Sequence, residues 1–567
     1  MHETRLAMVP KPAPIPAVLI VGAGPVGLTM ACELARHGVS VRIIDASDGP
    51  TTQSRALGIQ ARTLEVFENI GIVDEVLARA RKIHGLSAFA DGHRITHISF
   101  DMESFETHYP YLLILPQGET EQILVDRLKT YGIEVERRTT LRGLRNEPSS
   151  VLATLADFDG HASTIRISWL IGCDGARSTV RKNLDLPFEG AEYEDSFLLA
   201  DVSLAWDRPD DEMTVLLTPD GPMIAFPLPE PGRSRLVHAS THPVETSDAE
   251  PERVVERFQA MLRDQGRPEA VVSNPTWTSA FKIHRRVASR FREGRCFIAG
   301  DAAHLHSPAG GQGMNTGIQD AYNLAWKLAL VVRGESPESL LDSYSVERRS
   351  VVAGVVKGSD LLTRVVTMRS PIGKVLRDLL AGLLGEFDFV ARKLSKNVSE
   401  LGVEYHASPI VHEDRGGILA AGLGDRLDFR GGLHPGERVP DVFLEPPEDV
   451  EGPTRLFQIL QGTKHVLLVF EGEHADAEHA KIEHVLALSK TLEGRITTYF
   501  VVRGDVGSPS IAWEGPTLRD HEGLLHHRFG ARGACLYLIR PDGYLGYRSL
   551  PPDAERLSAY LARIFVH

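Results

Sequence analysis

The fold is decided by the stretch Arg295-Cys-Phe-Ile-Ala-Gly-Asp-Ala-Ala-His-Leu-His-Ser-Pro-Ala-Gly-Gly-Gln-Gly-Met-Asn315. It predicts a short apolar strand over Cys296–Ala299, a glycine-rich turn, and a helix from about Asn315 to Val332. Glycine lets backbone N–H groups approach a ligand, and a helix N-terminus adds partial positive charge. Asp301, at the strand end, can accept hydrogen bonds from hydroxyl groups. The stretch is therefore either a site for a polar cofactor or an ordinary strand-to-helix turn.

A second glycine turn lies near the N-terminus. The apolar run Ala17–Val21 leads into Gly22-Ala-Gly-Pro-Val-Gly27, a helical pattern follows, and Asp45 closes the next strand-like run. Gly22 permits a tight turn, Gly24 the close approach of a pyrophosphate, and Gly27 close packing of helix on strand. The acid after the second strand can hold a ribose hydroxyl. This order predicts a dinucleotide site, and it does not distinguish FAD from NAD.

A third strand-to-turn segment lies between these two. The apolar run Trp169–Cys173 leads into Asp174-Gly175-Ala-Arg-Ser-Thr-Val-Arg181. Two arginines and two hydroxyls after a strand suit contacts to phosphate or ribose. The alternative is a helix capped by Ser178 or Asp174.

Composition narrows the class of protein. The chain has 567 residues and a net charge of −14, which argues against a general nucleic-acid binder. No apolar run approaches the length of a membrane span. The four cysteines include no Cys-x-x-Cys pair, which argues against a metal cluster or a dithiol redox centre and fits a reducing compartment. We therefore expect a cytoplasmic protein without nucleic-acid or membrane partners.

Residues 186–283 differ in pattern from the flanking segments. They form short alternating runs broken by proline and glycine, which predicts a mostly antiparallel sheet inserted between two halves of a cofactor domain. The apolar stripe of this sheet is either plain core or the wall of a substrate site, and it carries Leu199, Met223, Ala225, Phe226 and His238.

The three motifs together resemble those of the single-component FAD-dependent aromatic hydroxylases, the group A flavoprotein monooxygenases. The resemblance rests on Gly22–Gly27 with Asp45, on Asp174-Gly175 with Arg177, and on Gly300 through Asn315. From about residue 441 the chain also resembles the thioredoxin-like C-terminal domain of phenol hydroxylase-like and 3-(3-hydroxyphenyl)propionate hydroxylase-like members, without a redox cysteine pair.

The resemblance implies an α/β fold (α+β overall). We expect a Rossmann-like FAD-binding domain with a helical extension in residues 1–185 and 284–400, and an inserted, mostly antiparallel substrate-binding sheet in 186–283. A linker in 401–440 and a thioredoxin-like domain in 441–567 complete the expected order.

The implied activity is hydroxylation of a phenolic or aromatic compound. In this family NAD(P)H reduces FAD, and O2 then reacts through a flavin C4a-hydroperoxide. The main alternative is a Baeyer–Villiger or epoxidising enzyme acting on a polyketide-like substrate. A tryptophan halogenase is disfavoured, because the chain lacks a Trp-x-Trp-x-Ile-Pro segment. A non-enzymatic role with a vestigial cofactor would leave the three motifs without a use. The resemblance also implies a homodimer.

The resemblance assigns roles to individual residues. The expected FAD contacts are Gly22, Gly24, Pro25, Gly27, Asp45, Arg55, Gln117, Asp174, Gly300, Asp301, Pro308, Gly311, Gly313, Met314 and Asn315. Arg55 could equally be a solvated surface arginine. Candidates for a base or acceptor near the phenol hydroxyl are His238, Tyr111 and His284, and Pro308 would lie beside the reactive edge of the flavin. No metal ligands are expected.

Overall fold

The computed structural model describes residues 16–52, 56–100, 106–240, 242, 244, 246–305, 311–366, 399–415, 423–444, 453–472, 478–504 and 511–566. For 192–195, 246–247, 282–284, 355–366 and 423 it describes the backbone alone.

Strands and helices alternate along these ranges. The strands are β1 Val18–Val21, β2 Val41–Ile44, β3 Gly58–Ile59, β4 Arg81–Ile83, β5 Gly85–Ala90, β6 His93–Ser99, β7 Leu112–Ile114, β8 Val135–Glu136, β9 Thr140–Asn146, β10 Val151–Ala156, β11 Ala162–Ile167, β12 Trp169–Gly172, β13 Phe188–Ala205, β14 Glu212–Thr218, β15 Gly221–Pro227, β16 Arg233–Ser240, β17 Val271–Ala288, β18 Arg292–Glu293, β19 Cys296–Ile298, β20 His304–Leu305, β21 His412–Arg415, β22 His465–Phe470, β23 Ile496–Arg503, β24 Thr517–Asp520, β25 Cys535–Ile539 and β26 Leu545–Leu550.

The helices are α1 Pro25–Arg36, α2 Ala61–Ile70, α3 Val73–Arg79, α4 Gln117–Thr130, α5 Thr179–Asn183, α6 Pro251–Asp264, α7 Gly313–Val332, α8 Asp342–Val366, α9 Leu423–Gly431, α10 Leu456–Leu460, α11 His479–Lys490, α12 Leu524–Phe529 and α13 Ala554–Leu561. None of the described helices combines the length and apolarity needed to cross a bilayer.

The first sheet brings the three motifs to one edge. Its strand order is β18-β19-β12-β1-β2-β8, and β19, β12, β1, β2 and β8 run parallel. β1 is buried at all four positions, as expected for a parallel strand covered on both faces. Val21 pairs with Gly172, and Gly172 with Ile298. Because each strand ends where a motif begins, the three predicted turns lie side by side, at the edge where open α/β sheets bind ligands.

The second sheet has eight strands in the order β20-β17-β13-β16-β15-β14-β5-β6. It contains the predicted inserted strands and also β5 and β6 from the N-terminal segment, with β5 parallel to β14. The domain boundary drawn from the sequence missed this pair, because β5 and β6 precede the insertion by about 90 residues of chain. Only the pairing in space assigns them to this sheet.

The two faces of this sheet have different neighbours. One, the helix face, carries Met223, Ala225, Leu236 and His238 and packs against α6. The other, the wall face, carries Phe226, Arg235 and Val237, which alternate with them along β15 and β16, and Leu199 and Trp277 on the neighbouring strands. The predicted single stripe is therefore wrong: Leu199 and Phe226 lie on the wall face, and the other three lie on the helix face.

The C-terminal sheet has the order β21-β26-β25-β22-β23-β24. It is mixed: β22 runs parallel to β23 and antiparallel to β25. β21 and α9 fall in the segment predicted as a linker, so ordered structure of the C-terminal region begins before residue 441. The thioredoxin-like assignment is compatible with this mixed sheet and stays a prediction.

Candidate functional site

The N-terminal glycine turn has two tightly packed positions and one open one. Gly22 has φ +103°, and a Cβ there would lie well under 3.0 Å from the carbonyl oxygen of Cys173. A Cβ on Gly27 would lie even closer to the carbonyl oxygen of Gly22. A Cβ on Gly24 would meet nothing within 4 Å. This pattern fits a pyrophosphate, which needs a sharp turn, close helix packing and one uncovered backbone position.

The N-terminal glycine turn and the segment from Gly300 onward are in direct contact. A Cβ on Gly300 would lie 2.8 Å from Cγ2 of Val26, and one on Gly317 would lie 2.6 Å from the same atom. Val26 belongs to the N-terminal glycine turn, Gly300 follows β19, and Gly317 lies in the first turns of α7. The two distant glycine turns therefore pack together, and the N-termini of α1 and α7 adjoin one site.

Helix α1 begins without a side-chain cap. Its N-cap is Gly24, which makes no side-chain hydrogen bond, and Pro25 occupies the first helical turn. The first N–H groups of a helix lack partners within the helix and carry partial positive charge. An uncapped helix start beside an open glycine is therefore suited to a phosphate group.

Asp45 lies at the end of β2, beside the same turn. Its carboxylate accepts hydrogen bonds from the backbone N–H groups of Ala23 (2.5 Å) and Ser47 (2.7 Å). Arg137 lies 4.0 Å from it. A carboxylate has about four lone-pair sites, so acceptor capacity remains for a ribose hydroxyl.

Asp174 acts as a helix cap. Its carboxylate accepts hydrogen bonds from Ser178 Oγ (2.5 Å) and from the backbone N–H groups of Thr179 (2.6 Å) and Val180 (3.1 Å). Burial raises the pKa of this carboxyl, and the hydrogen bonds oppose that rise. The side chain of Asp174 is therefore used to cap α5, as in the capped-helix alternative. Arg177, in the same loop, is exposed.

In the segment that follows β19, Asp301 is exposed on a 3-10 turn over Gly300–Ala302. Asn315, in the first turn of α7, donates through Nδ2 to the carbonyl oxygens of Gly58 and Gly311, both at 2.9 Å. Its amide therefore ties α7 to β3 and to the glycine turn. The other predicted contacts here are Gly311 with φ +61°, Gly313 at the start of α7, and the buried Met314.

Gln117 begins α4. It donates through Nε2 to Glu121 Oε1 at 2.9 Å, and Thr51 donates its N–H to Oε2 of the same carboxylate at 2.6 Å. Burial raises the pKa of Glu121. These bonds fasten the loop after Asp45 to the start of α4, and the contact of Gln117 with the cofactor stays a prediction.

The sequence analysis missed Asp320. Its buried carboxylate accepts hydrogen bonds from Gly300 N (3.0 Å), His304 Nε2 (2.7 Å) and Arg348 Nε (2.6 Å). Burial alone would raise its pKa, but attraction and hydrogen bonds to His304 and Arg348 lower the pKa of Asp320 to about 2. An acid within the apolar pattern of α7 was the available signal. Asp320 fixes the turn that carries Asp301.

Glu400 supports the same helix from outside the predicted motifs. It accepts hydrogen bonds from Thr316 Oγ1 at 2.8 Å and from Gln319 Nε2. Burial raises the pKa of Glu400 to about 7. No periodicity or motif in the sequence marks this residue.

His238 lies on the helix face of the second sheet. It is fully buried on the helix face, and neither ring nitrogen has a hydrogen-bond partner among the described residues. The Asp220 carboxylate lies 3.9 Å away. Burial, reinforced by the charge of Arg257, lowers the pKa of His238 to about 4. The catalytic assignment of His238 stays a prediction, but its position on the face that packs against α6 does not support it.

The remaining catalytic candidates receive little support. Tyr111 is half-buried; its ring centre lies 4.6 Å from Lys82 Nζ and its ring is edge-on to Tyr109. For His284 the backbone alone is described, in β17. Arg55 and Pro308 lie outside the described residues, so their assignments stay predictions.

Replacing His238 by leucine should leave kcat within about twofold of the wild-type value, because no reacting group lies near it. An unpartnered buried polar group costs about 1–3 kcal/mol, so the melting temperature should stay level or rise. Steady-state kinetics and thermal unfolding with bound FAD would check this. A loss of kcat above tenfold at unchanged FAD content would restore His238 as a catalytic candidate.

Comparisons with known proteins agree with this geometry. The family described as "FAD binding domain" matches residues 16–359. The chain is 37% identical to 6-methylpretetramide 4-monooxygenase of Streptomyces rimosus, covering 97% of this chain and 94% of that protein. It is 33% identical to pentachlorophenol 4-monooxygenase of Sphingobium chlorophenolicum, covering 94% of each. A ternary complex of aklavinone-11 hydroxylase with FAD and aklavinone superposes with a TM-score of 0.76 at 26% identity, covering 97% and 98%.

Fold and site together define a group A flavoprotein monooxygenase that uses FAD, NAD(P)H and O2 on an aromatic compound. The chain belongs to the FAD-binding domain family. The names of its relatives favour hydroxylation over the Baeyer–Villiger or epoxidising alternative.

Proposed function

We propose that this enzyme hydroxylates a phenolic ring of a polyketide-type aromatic compound bound between FAD and the wall face. One chain of contacts carries the proposal. Phe226 of the wall face packs against a cluster that contains Leu57. The next residue, Gly58, accepts the hydrogen bond of Asn315 at the start of α7. The wall face therefore lies opposite the glycine turn assigned to the flavin.

The width of the wall face favours a substrate larger than one ring. Its apolar side chains come from β15, β16, β13 and β17, and include Phe226, Val237, Leu199 and Trp277. Four adjacent strands at about 4.8 Å spacing span roughly 14 Å, more than a single six-membered ring occupies. The relationship to the 6-methylpretetramide and aklavinone enzymes supports the same class. The pentachlorophenol relative supports a single-ring phenol as the second candidate.

Residues of this chain would bind and orient FAD and exclude water from the site. Gly22, Gly24 and Gly27 with the start of α1 would hold the pyrophosphate, Asp45 the adenosine ribose, and Asp301 the ribityl chain. The N-terminus of α7 would stabilise negative charge on the bound cofactor. FAD, reduced by NAD(P)H, supplies the activation of O2 and the oxygen transfer. The apolar wall face keeps water from the reacting atoms.

A paired substrate assay tests the proposal. NADPH and NADH consumption by the purified FAD-loaded enzyme would be measured with 1,8-dihydroxyanthraquinone and with pentachlorophenol, and product masses recorded. We expect strong acceleration and the gain of one oxygen with the fused-ring phenol. Faster cofactor consumption with pentachlorophenol alone would favour the single-ring candidate. If neither compound nor any other phenol in a wider screen accelerated consumption, both candidate substrate classes would be rejected.

Replacing Asp301 by alanine should weaken FAD binding by about tenfold to a hundredfold, because a hydrogen bond to a charged group contributes about 1.5–3 kcal/mol. FAD content after gel filtration and a fluorescence titration of the apoprotein would measure the change. Asp159→Ala, at an exposed turn outside the three motifs, is the matched control. Full FAD affinity in Asp301→Ala would remove the residue from the cofactor site.

We also propose a cytoplasmic homodimer. The dimer rests on the family resemblance, and multi-angle light scattering of the FAD-loaded enzyme would give a mass of twice the 62.3 kDa chain. The cytoplasm rests on the cysteine pattern, and fractionation of the producing cells would test it.

A further inference from the structure

Arg235 is an unusual residue for an apolar wall. It lies on β16, is 1% exposed, and belongs to the wall face beside Phe226. Its Nε lies 2.7 Å from Asp201 Oδ1 and its Nη2 lies 2.7 Å from Asp201 Oδ2, so the two groups form a bidentate ion pair. The guanidinium carbon lies 4.8 Å from the ring centre of Trp277. These three contacts fix the plane of the guanidinium.

One edge of this guanidinium remains unused. Nη1 of Arg235 is buried and has no hydrogen-bond partner within the described part of the chain. Buried polar groups in folded proteins are nearly always paired, so this donor needs a partner from outside the described residues, and a ligand oxygen can supply it. Because Asp201 already balances the charge, the donor can receive a neutral carbonyl oxygen as well as a phenolate.

The position of the donor identifies its partner. Phe226, its cross-strand neighbour, packs against a cluster that includes Leu57 of the cofactor domain. An acceptor reaching Nη1 from the wall face therefore belongs to a molecule lying between the sheet and the flavin. We infer that Arg235 Nη1 donates a hydrogen bond to a carbonyl or phenolate oxygen of the aromatic substrate, an inference that rests on the proposed function. This hydrogen bond fixes which ring carbon faces the flavin.

The pair Asp201–Arg235 suits a positioning role. Arginine offers its donors in a rigid planar fork, and a fork held by a bidentate carboxylate loses little entropy when its last edge binds an acceptor. A site built around such a donor discriminates against an analogue that lacks the oxygen, because the N–H is then left buried and unpaired. The structure thus assigns to Arg235 a selectivity for oxygenated rings.

The test separates oxygen recognition from general packing. Arg235→Met combined with Asp201→Leu removes both charges, a replacement that is often neutral for folding. Arg235→Lys is the second variant, which keeps a cation and loses the fork. Arg233→Met is the matched control: Arg233 lies on the same strand and face, and donates to Ser203 and to the carbonyl oxygen of Asn274. Dissociation constants of 2-naphthol and naphthalene would be taken from perturbation of the flavin absorbance in FAD-loaded protein.

We expect wild type and Arg233→Met to bind 2-naphthol about 10- to 100-fold more tightly than naphthalene. Both Arg235 variants should lose that ratio, with FAD content and naphthalene affinity unchanged. An unchanged ratio in both variants would overturn the inference and leave the proposed function intact. If the Arg235 variants kept the affinity ratio but showed a shifted flavin spectrum without ligand, Nη1 would bind the flavin instead of the substrate. That result would also overturn the inference. Absence of any binding to the wild type would count against both proposals.

Discussion

Alanine at position 27 is expected to abolish folding, whereas alanine at position 24 should leave the fold intact and weaken the binding of FAD. The Gly27 Cβ would overlap the carbonyl oxygen of Gly22, a backbone atom that no rotamer change can move. Forcing atoms into packed space costs about 1–3 kcal/mol when side chains can adjust, and more against backbone. The Gly24 Cβ has no neighbour within 4 Å, so it would meet only the pyrophosphate.

This pair of variants separates structure from binding. Circular dichroism and thermal unfolding would report the fold, and a titration of the apoprotein with FAD would report affinity. We expect insoluble or unfolded protein for Gly27→Ala. For Gly24→Ala we expect a melting temperature close to that of the wild-type apoprotein and at least about tenfold weaker FAD binding. If Gly24→Ala kept full affinity, the pyrophosphate would not bind at this turn.

The parts of the fold that follow local pattern could be predicted from the sequence. The strands before Gly22, Asp174 and Gly300 are continuous apolar runs, and a parallel strand covered on both faces leaves that signature. Their adjacency followed from the expectation that one cofactor needs several turns at one edge. The register of β1, β12 and β19 confirms that arrangement.

The sequence analysis missed features that depend on which strands and side chains pack together. Phe226 and His238 lie in two neighbouring apolar runs, β15 and β16. Because both faces of this sheet are apolar, alternation alone could not say which of the two residues faces the cofactor. No motif or spacing in the sequence marks Arg235. Asp201, its partner, lies 34 residues earlier, and no local rule connects the two.

The buried charges between the cofactor domain and the C-terminal sheet were also invisible in the sequence. Arg540, in the turn after β25, donates to Glu347 Oε1 (2.7 Å) in α8 and to Asp542 Oδ1 (2.9 Å). Glu347 also accepts from Lys327 Nζ of α7 at 2.7 Å, and Asp542 accepts from Trp326 Nε1 at 3.1 Å. Two cations and two carboxylates thus balance inside the molecule, and they join the C-terminal sheet to the helix that starts at the cofactor site.

Replacing Arg540 by methionine should therefore destabilise the protein by about 3–5 kcal/mol, because it leaves two buried carboxylates facing one ammonium group. Urea denaturation with bound FAD would measure the change. Arg166→Met is the control: its pair with Glu147 is exposed, and such pairs contribute at most about 1 kcal/mol.

The pH dependence of this loss identifies its cause. Burial opposes ionisation of Glu347, but Arg540 and Lys327 hold its pKa well below the usual range. In the wild type this contribution to stability is present above the unfolded-state pKa and is lost as pH falls through the folded-state value. Without Arg540 the carboxyl should take up a proton at higher pH, which relieves the unpaired charge. The destabilisation should thus be larger at pH 8 than at pH 5. An equal loss at both values would mean that Arg540 acts through packing, since its guanidinium also lies 5.3 Å from the Trp326 ring centre.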